Sequence, residues 1–430
     1  MPRIASVIAA LLIGILAFLA GRFSSSAQPL LATPEGAAFV TAFNAIREHH
    51  TKPVSAATLA QAATRGLLEG LNDPFTSLTP SDPAQVLEGV MRDGTEVGMG
   101  VSHRAWRADG TGDQITNVPA DSPAARAGIQ VGDVILAIDT QDVSRLKVFE
   151  IARKRIGPEG TAMRLRIQRD QQTLEITVMR ERNTPATLRS RVLEAGIGLI
   201  RIDDFFAANL PAAFRNATQT LQRQGVNRLV LDLRDNGGGL IESATQIADQ
   251  FLGSGAILTT RDRNAQTKVT HTASASPDDL NWPLVILTNH DTASASEILI
   301  GALRDAKRAR TVGQTTRGKG VANAQIKLPD GSLLFLPVVE WLNANGHSLN
   351  GHGIPPDVRL EDTRYARPLE VRVEGASANT PIKLQLGRLT WQGQTDAAGH
   401  LEQEFVVQTP PNPHDQQLER AVTLLRSSPK

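Results

Sequence analysis

The spacing of apolar positions changes repeatedly along this chain, and each change marks a different kind of element. Ile4 to Ala20 is one continuous apolar run. Between 36 and 72, Phe39, Phe43 and Ile46, and then Leu59, Ala63, Leu67, Leu68 and Leu71, recur at helical spacing. Asp73-Pro74 and the stretch Thr79–Pro83 break that pattern. From 94 to 182 the period drops to two. Met163–Ile167 and Leu174–Val178 alternate strictly, Asp113–Val118 and Asp133–Ile138 read as further strands, and a helix is predicted near Val148–Ile156. Gly132-Asp133 and Gly157–Gly160 supply turns, so this stretch predicts a small β-rich module. Beyond 190, Leu229–Leu233 and Leu284–Thr288 are apolar almost throughout, and each leads through a loop into a helical stretch, Glu242–Leu252 and Ser294–Arg308. Strands that do not alternate are buried on both faces, which predicts an α/β domain. Ala322–Leu328 and Leu333–Val339 read as a hairpin, 367–408 as a small β appendage, and 414–427 as a terminal amphipathic helix.

The N-terminal run, set between Arg3 and Gly21-Arg22, is longer than a usual cleaved signal core and slightly short of the ~20 residues that span a bilayer. With small residues at Ser25-Ser26-Ala27, it reads either as a removed signal peptide or as an uncleaved anchor in the inner membrane. Both readings export the remainder, to the periplasm or cell envelope, and keep this segment out of the fold. The chain contains no cysteine, which excludes disulfides, zinc–thiolate sites and a cysteine nucleophile. A net charge of +1 over 430 residues, without a basic run, excludes a nucleic-acid footprint. There is no H-E-x-x-H, and the reading calls for no metal and no cofactor.

Three segments could carry chemistry. Asp291-Thr-Ala-Ser-Ala-Ser-Glu297 joins a buried strand to a helix. A serine there sits beside free helix N-terminal amides that can bind a developing anion, although Ser294 and Glu297 also spell a capping box. Gly313-Gln-Thr-Thr-Arg-Gly-Lys319-Gly320 matches the front of a phosphate-binding P-loop. It has Gly320 where Ser or Thr must hold Mg²⁺, and it leads into a strand, not a helix. Bare glycines on both sides of Lys319 let other groups pack close to it. Arg234-Asp-Asn-Gly-Gly-Gly239 follows a strand, as a flexible turn or as a nest of exposed N–H groups. Together they supply a nucleophile, a base and oxyanion donors for acyl transfer. Lysine is a base only when neutral, so burial must lower its reference pKa of ~10.4. His290-Asp291 lies too close to Ser294 on one turn to form a triad with it, and the other histidines fit no nucleophile–base spacing.

In these segments the chain resembles the C-terminal processing peptidases, or tail-specific proteases. Thr292–Glu297 is similar to their nucleophile motif and Gly318-Lys319-Gly320 to their G-K-G, with Lys319 25 residues after Ser294. Leu231–Leu240 is similar to L-D-L-R-x-N-P-G-G-L, Gly351-His-Gly-Ile-Pro-Pro-Asp357 to G-x-G-I-x-P-D, and Asp415-Gln-Gln-Leu418 to a terminal D-x-Q-L helix. Ala120–Ile129 and Val131–Ile138 resemble a PDZ domain. The resemblance implies a Ser294–Lys319 dyad, and oxyanion donors at Gly238 or Gly239 with Ala295. It also implies a carboxylate-binding loop Gly98-Met99-Gly100-Val101 that captures free C-terminal tails of polypeptide substrates. The implied organisation is a signal or anchor (1–28), N-terminal helices (29–88) and a PDZ domain (89–184). An α/β peptidase core of crotonase-like ββα type (185–365), a β appendage (366–411) and a C-terminal helix (412–430) complete it. Where the family commonly has a base-orienting glutamine, four residues past the lysine, this chain has Asn323, which takes that role by position. Arg317 replaces the usual phenylalanine and Gly237 the usual proline. The shortened Asn323 leaves a second reading, a catalytically impaired PDZ adaptor of the cell envelope that engages a partner or itself.

Overall fold

The computed structural model describes residues 32–73, 75–79, 81, 95–107, 110–170, 172–183, 187–343, 346–365, 368–373, 376–386, 389–406 and 415–428. The apolar run Ile4–Ala20 and the small residues 25–27 lie outside them. Among the described residues no helix is long and apolar enough to cross a membrane. The chain divides into two compact units: residues 1–81 with 323–337, and residues 82–322 with 338–430.

In the first unit, the predicted helical stretch is two helices, α1 (Pro34–His49) and α2 (Ala56–Leu71). Each is started by a hydroxyl: Thr33 accepts from the Gly36 N–H, and Ser55 from the Thr58 N–H. Asn72 closes α2 in the left-handed conformation at φ 48°. Phe39, Ile46, Leu67 and Leu71 are exposed. Strand β1 (Ser77–Thr79) pairs antiparallel with residues 333–335.

The second unit begins with the β-rich module: β2 (Glu96–Gly98), β3 (Ser102–Arg104), β4 (Asp113–Asn117), α3 (Pro123–Arg126), β5 (Val134–Ile138), β6 (Gln141–Asp142), α4 (Val148–Arg155), β7 (Ala162–Arg169), β8 (Gln172–Met179) and β9 (Glu181–Asn183). The main sheet runs β3-β4-β5-β7-β8, so β3 is an edge, while β2 pairs with β9 separately. Period two is explicit in β7, where Met163, Leu165 and Ile167 are buried and join Met99, Val101, Ile115 and Ile151 in the core. The buried Asp133 of the Gly-Asp turn holds the Gln130 amide and receives a two-pronged bond from Arg169 at 2.8 Å.

The α/β layer comprises β10 (Leu188–Glu194), β11 (Ile197–Ile202), α5 (Leu210–Arg223), β12 (Arg228–Asp232), α6 (Ile241–Asp249), β13 (Ala256–Asp262), β14 (Thr267–Thr272), β15 (Leu284–Thr288), α7 (Ala295–Asp305), β16 (Arg310–Gly313), β17 (Val321–Lys327), β18 (Leu333–Leu342) and β19 (Val358–Arg359). Its sheet runs β10-β11-β12-β15-β16-β19, parallel from β11 onward. Leu229, Leu231, Leu233 and Ile286 face one core with α5, α6 and α7; Val230, Val285, Leu287 and Val312 face another with the terminal helix α8 (Gln416–Arg426). Burial on both faces explains the unbroken apolar runs. Residues 339–342 of β18 pair with β13, which pairs with β14. The C-terminal appendage is two antiparallel pairs, residues 368–373 with 401–406 and 381–386 with 389–394.

Candidate active site

Three neighbouring parallel strands, β12, β15 and β16, end on the same side of the sheet, where open α/β sheets place ligands. The loop after β12 carries Asp235–Gly239, the loop after β15 leads to Ser294, and the loop after β16 carries Lys319. Buried side chains stitch the first two together. Asn289 Oδ1 accepts from the Asp235 amide, and its Nδ2 donates to Asp235 Oδ1. The carbonyl of the fully buried Asn236 accepts from the Ala293 amide at 3.0 Å and from Ser296 Oγ at 3.1 Å.

Ser294 is held at φ 58°, ψ −119°, a conformation that L-residues avoid. Such strain costs about 1–3 kcal/mol, persists where the surroundings over-determine it, and concentrates at functional sites. The capping-box outline expected from the sequence is present, yet the Glu297 amide bonds to the Ser294 carbonyl oxygen at 2.8 Å. The hydroxyl of the half-buried Ser294 makes no hydrogen bond among the described residues, which leaves it available for chemistry.

Glu297 ties Ser294 to the lysine loop. Its Oε2 accepts from the amides of Ser294 at 2.7 Å and Lys319 at 3.0 Å; its Oε1 accepts from the Gly318 amide at 2.7 Å and Thr316 Oγ1 at 2.5 Å. Four donors on one side chain fill the acceptor capacity of an ionised carboxylate. Burial pushes the group above its ordinary value, against the pull of those four bonds. Thr316 extends the link, accepting from the Ile354 amide at 2.7 Å, so the Gly351–Asp357 turn is bonded to the lysine loop. The glycines around Lys319 are needed for that packing. A Cβ on Gly318 would stand 2.6 Å from the Gly353 nitrogen, and one on Gly320 2.4 Å from the Asn350 nitrogen.

Gly238, Gly239 and Ala295 lie against Ser294 in different ways. A Cβ on Gly238, at φ 102°, would stand 2.8 Å from Ser294 Cβ and 2.9 Å from the Ala295 nitrogen. The Gly238 amide is turned to Asn236 Oδ1 at 2.9 Å, whereas those of Gly239 and Ala295 have no partner among the described residues. Gly237 is exposed with open space about it. Arg317 donates to Asp291 at 2.8 Å, and its amide bonds to the Thr292 carbonyl, which fastens the lysine loop to the loop before Ser294. Asn323 donates from Nδ2 to the Phe75 carbonyl at 2.6 Å, and its Oδ1 is buried without a hydrogen-bond partner.

A buried ionic network backs these loops. Burial alone would raise Asp235, but Arg364, Arg104 and Arg201 outweigh it and hold the carboxyl well below the usual range. Arg104 belongs to β3 of the β-rich module and reaches Asp235 at 3.5 Å and Asp362 at 3.7 Å. Asp362 is brought down to about 2, Arg364 overcoming its burial. Arg234 donates to Asp232 and Asp415 at 2.7 Å, while Asp415 also caps α8 by accepting from the Leu418 amide. Gln417 accepts from Arg234 and donates to the Leu360 carbonyl, so the terminal D-x-Q-L helix is latched to the start of the loop after β12. In the sequence alone Glu297 reads only as a cap, and nothing marks Arg104 or Thr316 for a role. The signal for Glu297 was its offset of three from Ser294.

Residues 196–360 match the profile of Peptidase family S41, and residues 114–169 that of a PDZ domain. The chain is 30% identical over 326 residues to a probable CtpA-like serine protease of Staphylococcus haemolyticus (strain JCSC1435), covering 75% of this chain and 64% of that protein. It is 29% identical over 327 residues to the probable CtpA-like serine protease of Staphylococcus aureus (strain bovine RF122 / ET3-1), again over 75% and 64%. The chain thus spans just under two thirds of the length of these relatives. The solved photosystem II D1 C-terminal processing protease is 26% identical, with a TM-score of 0.56 over 77% of this chain and 94% of that one. Profile, relatives and fold agree: the chain belongs to peptidase family S41, among the C-terminal processing peptidases, and carries a PDZ domain ahead of its peptidase core.

Proposed function

We propose that the chain is a serine endopeptidase that captures free C-terminal tails of polypeptides in its PDZ domain and cleaves them through a Ser294–Lys319 dyad. The observation that carries this reading is the strained Ser294, tied to the amide of Lys319 by one carboxylate oxygen of Glu297. In the proposed reaction, Ser294 Oγ attacks a peptide carbonyl carbon while the neutral Lys319 amine takes the hydroxyl proton. The amides of Gly239 and Ala295 stabilise the oxyanion. Gly238, with its own amide turned to Asn236, contributes the space beside Ser294. Collapse breaks the C–N bond, and Lys319 gives its proton to the leaving amine. Water then attacks the acyl-ester, Lys319 takes its proton and returns it to Ser294 Oγ, and the shortened product leaves with a new carboxyl terminus. Asn323, four residues past Lys319, is assigned by position to orient the base.

The loop Gly98–Val101 would hold the tail carboxylate while the tail adds as a strand to the free edge of β3. Export to the cell envelope, by a cleaved or retained leader at 1–28, belongs to the same proposal. The test is incubation of the full chain with a polypeptide that ends in apolar residues and a free carboxylate. Cleavage by the unaltered chain, lost in both Ser294→Ala and Lys319→Ala, supports the peptidase. Binding without cleavage in every form refutes it and leaves a PDZ adaptor.

A further inference from the structure

The loop assigned to tail carboxylates already holds one. Glu96, on β2, folds back over the loop, and its Oε1 accepts from the Gly100 amide at 3.2 Å. The same oxygen would stand 3.4 Å from a Cβ placed on Gly98, so the carboxylate lies over the loop and not beside it. The flanking amides of Met99 and Val101 make no hydrogen bond among the described residues. Of three consecutive N–H groups, an internal carboxylate therefore holds the middle one. We infer that Glu96 is a competitor built into the chain, which holds the loop until a tail arrives and so sets its affinity for free C-termini; this rests on the tail-binding reading above.

The surroundings make coexistence of both carboxylates costly. Ser102, at the start of β3, donates to Asp203, and the neighbouring half-buried Asp204 lies within electrostatic reach of both Asp203 and Glu96. Asp204 is pushed up to about 6, by burial first and then by those two carboxylates. A substrate carboxylate would bring one more negative group to this corner, where partly buried charges are weakly screened. Glu96 must therefore swing out of the loop as the tail enters. The interaction it gives up, a charge-assisted hydrogen bond, is the discrimination that a tail must overcome. Weakly binding termini are thereby rejected without any change in the pockets for the side chains.

The experiment measures fluorescence anisotropy of one labelled peptide, as the free acid and as the C-terminal amide. The receptor is the full chain carrying Ser294→Ala to prevent turnover, alone or with Glu96→Gln or Glu96→Ala. Expected is a free acid that binds roughly tenfold more tightly after Glu96→Ala, with Glu96→Gln between the two, and an amide whose weaker binding changes less than about twofold. An acid preference that is the same or smaller in both variants overturns the role of Glu96 while leaving tail capture intact. Equal binding of acid and amide by the unaltered loop overturns the tail reading, and this inference with it.

Discussion

Replacing Glu297 by glutamine separates the positioning of the proposed dyad from the stability of the fold. Glutamine keeps the length and one acceptor oxygen. Set where Oε2 now lies, that oxygen keeps the Ser294 and Lys319 amides bonded, and the new NH₂ faces Thr316 and Gly318. The Thr316 hydroxyl can reverse and accept. The buried Gly318 N–H cannot, and a stranded buried donor costs about 1–3 kcal/mol. Removing the charge relieves the burial that raises the Glu297 carboxyl, so the net change in unfolding free energy should stay below about 1 kcal/mol. The stranded amide adjoins Lys319, and its displacement is felt at the base. If about 2 kcal/mol of that misfit appears only in the transition state, kcat falls roughly thirtyfold. KM should hold, because the proposed tail site lies in another domain. Glu297→Ala removes both oxygens and leaves three amides without an acceptor, so it should destabilise by about 3–5 kcal/mol as well. The assay pairs single-turnover acylation of a tailed fluorogenic peptide with urea unfolding of each variant. A Glu297→Gln kcat within threefold of the unaltered chain, or a loss matched by an equal fall in the urea midpoint, would refute the positioning role.

Gly238→Ala sets a Cβ 2.8 Å from Ser294 Cβ and should cost more than about 10²-fold in kcat, read by the same acylation assay. Asp204→Asn should stabilise the fold at pH 7 by up to about 3 kcal/mol. The native carboxyl holds its proton to about 6 against 3.8 when free, so stability falls as pH rises between those values. Urea midpoints at pH 4 and 7 check this, since the gain should vanish at the lower pH. Asp415→Ala breaks both the α8 cap and the ion pair to the buried Arg234, and should cost about 3 kcal/mol in urea. Asp362, held down to about 2 against 3.8, stabilises the native state at neutral pH; acid titration of the unfolding midpoint should show that support lost as pH falls from about 4 to about 2.

What could be read from sequence follows from how local each physical cause is. Period-two burial in β7 and two-sided burial in β12 and β15 are properties of single segments, so these strands were legible. The pairs β10–β11 and β13–β14 are not legible in this way, because Leu188–Glu194 and Thr267–Thr272 carry little apolar contrast and are defined by the strands they join. The site divides in the same way. Ser294 and Lys319 stood out by motif, but the clasp between them depends on Glu297, whose offset of three from Ser294 suits a helix cap equally well. The difference between a cap and a clasp is 22 residues away, where the Lys319 amide turns toward the same oxygen. The ionic network is less local still. Arg104, Asp235, Asp362 and Arg364 come from a PDZ strand, the loop after β12 and the segment after β19, and only the Asp362–Arg364 pair, two residues apart, joins near neighbours in sequence. A buried guanidinium shared between those segments links the edge strand of the proposed tail groove to the loop bearing the proposed oxyanion donors. If tail capture proceeds as proposed, whatever shifts β3 must therefore either carry Arg104 with it or leave the Asp235 carboxylate with one of its three guanidinium partners fewer.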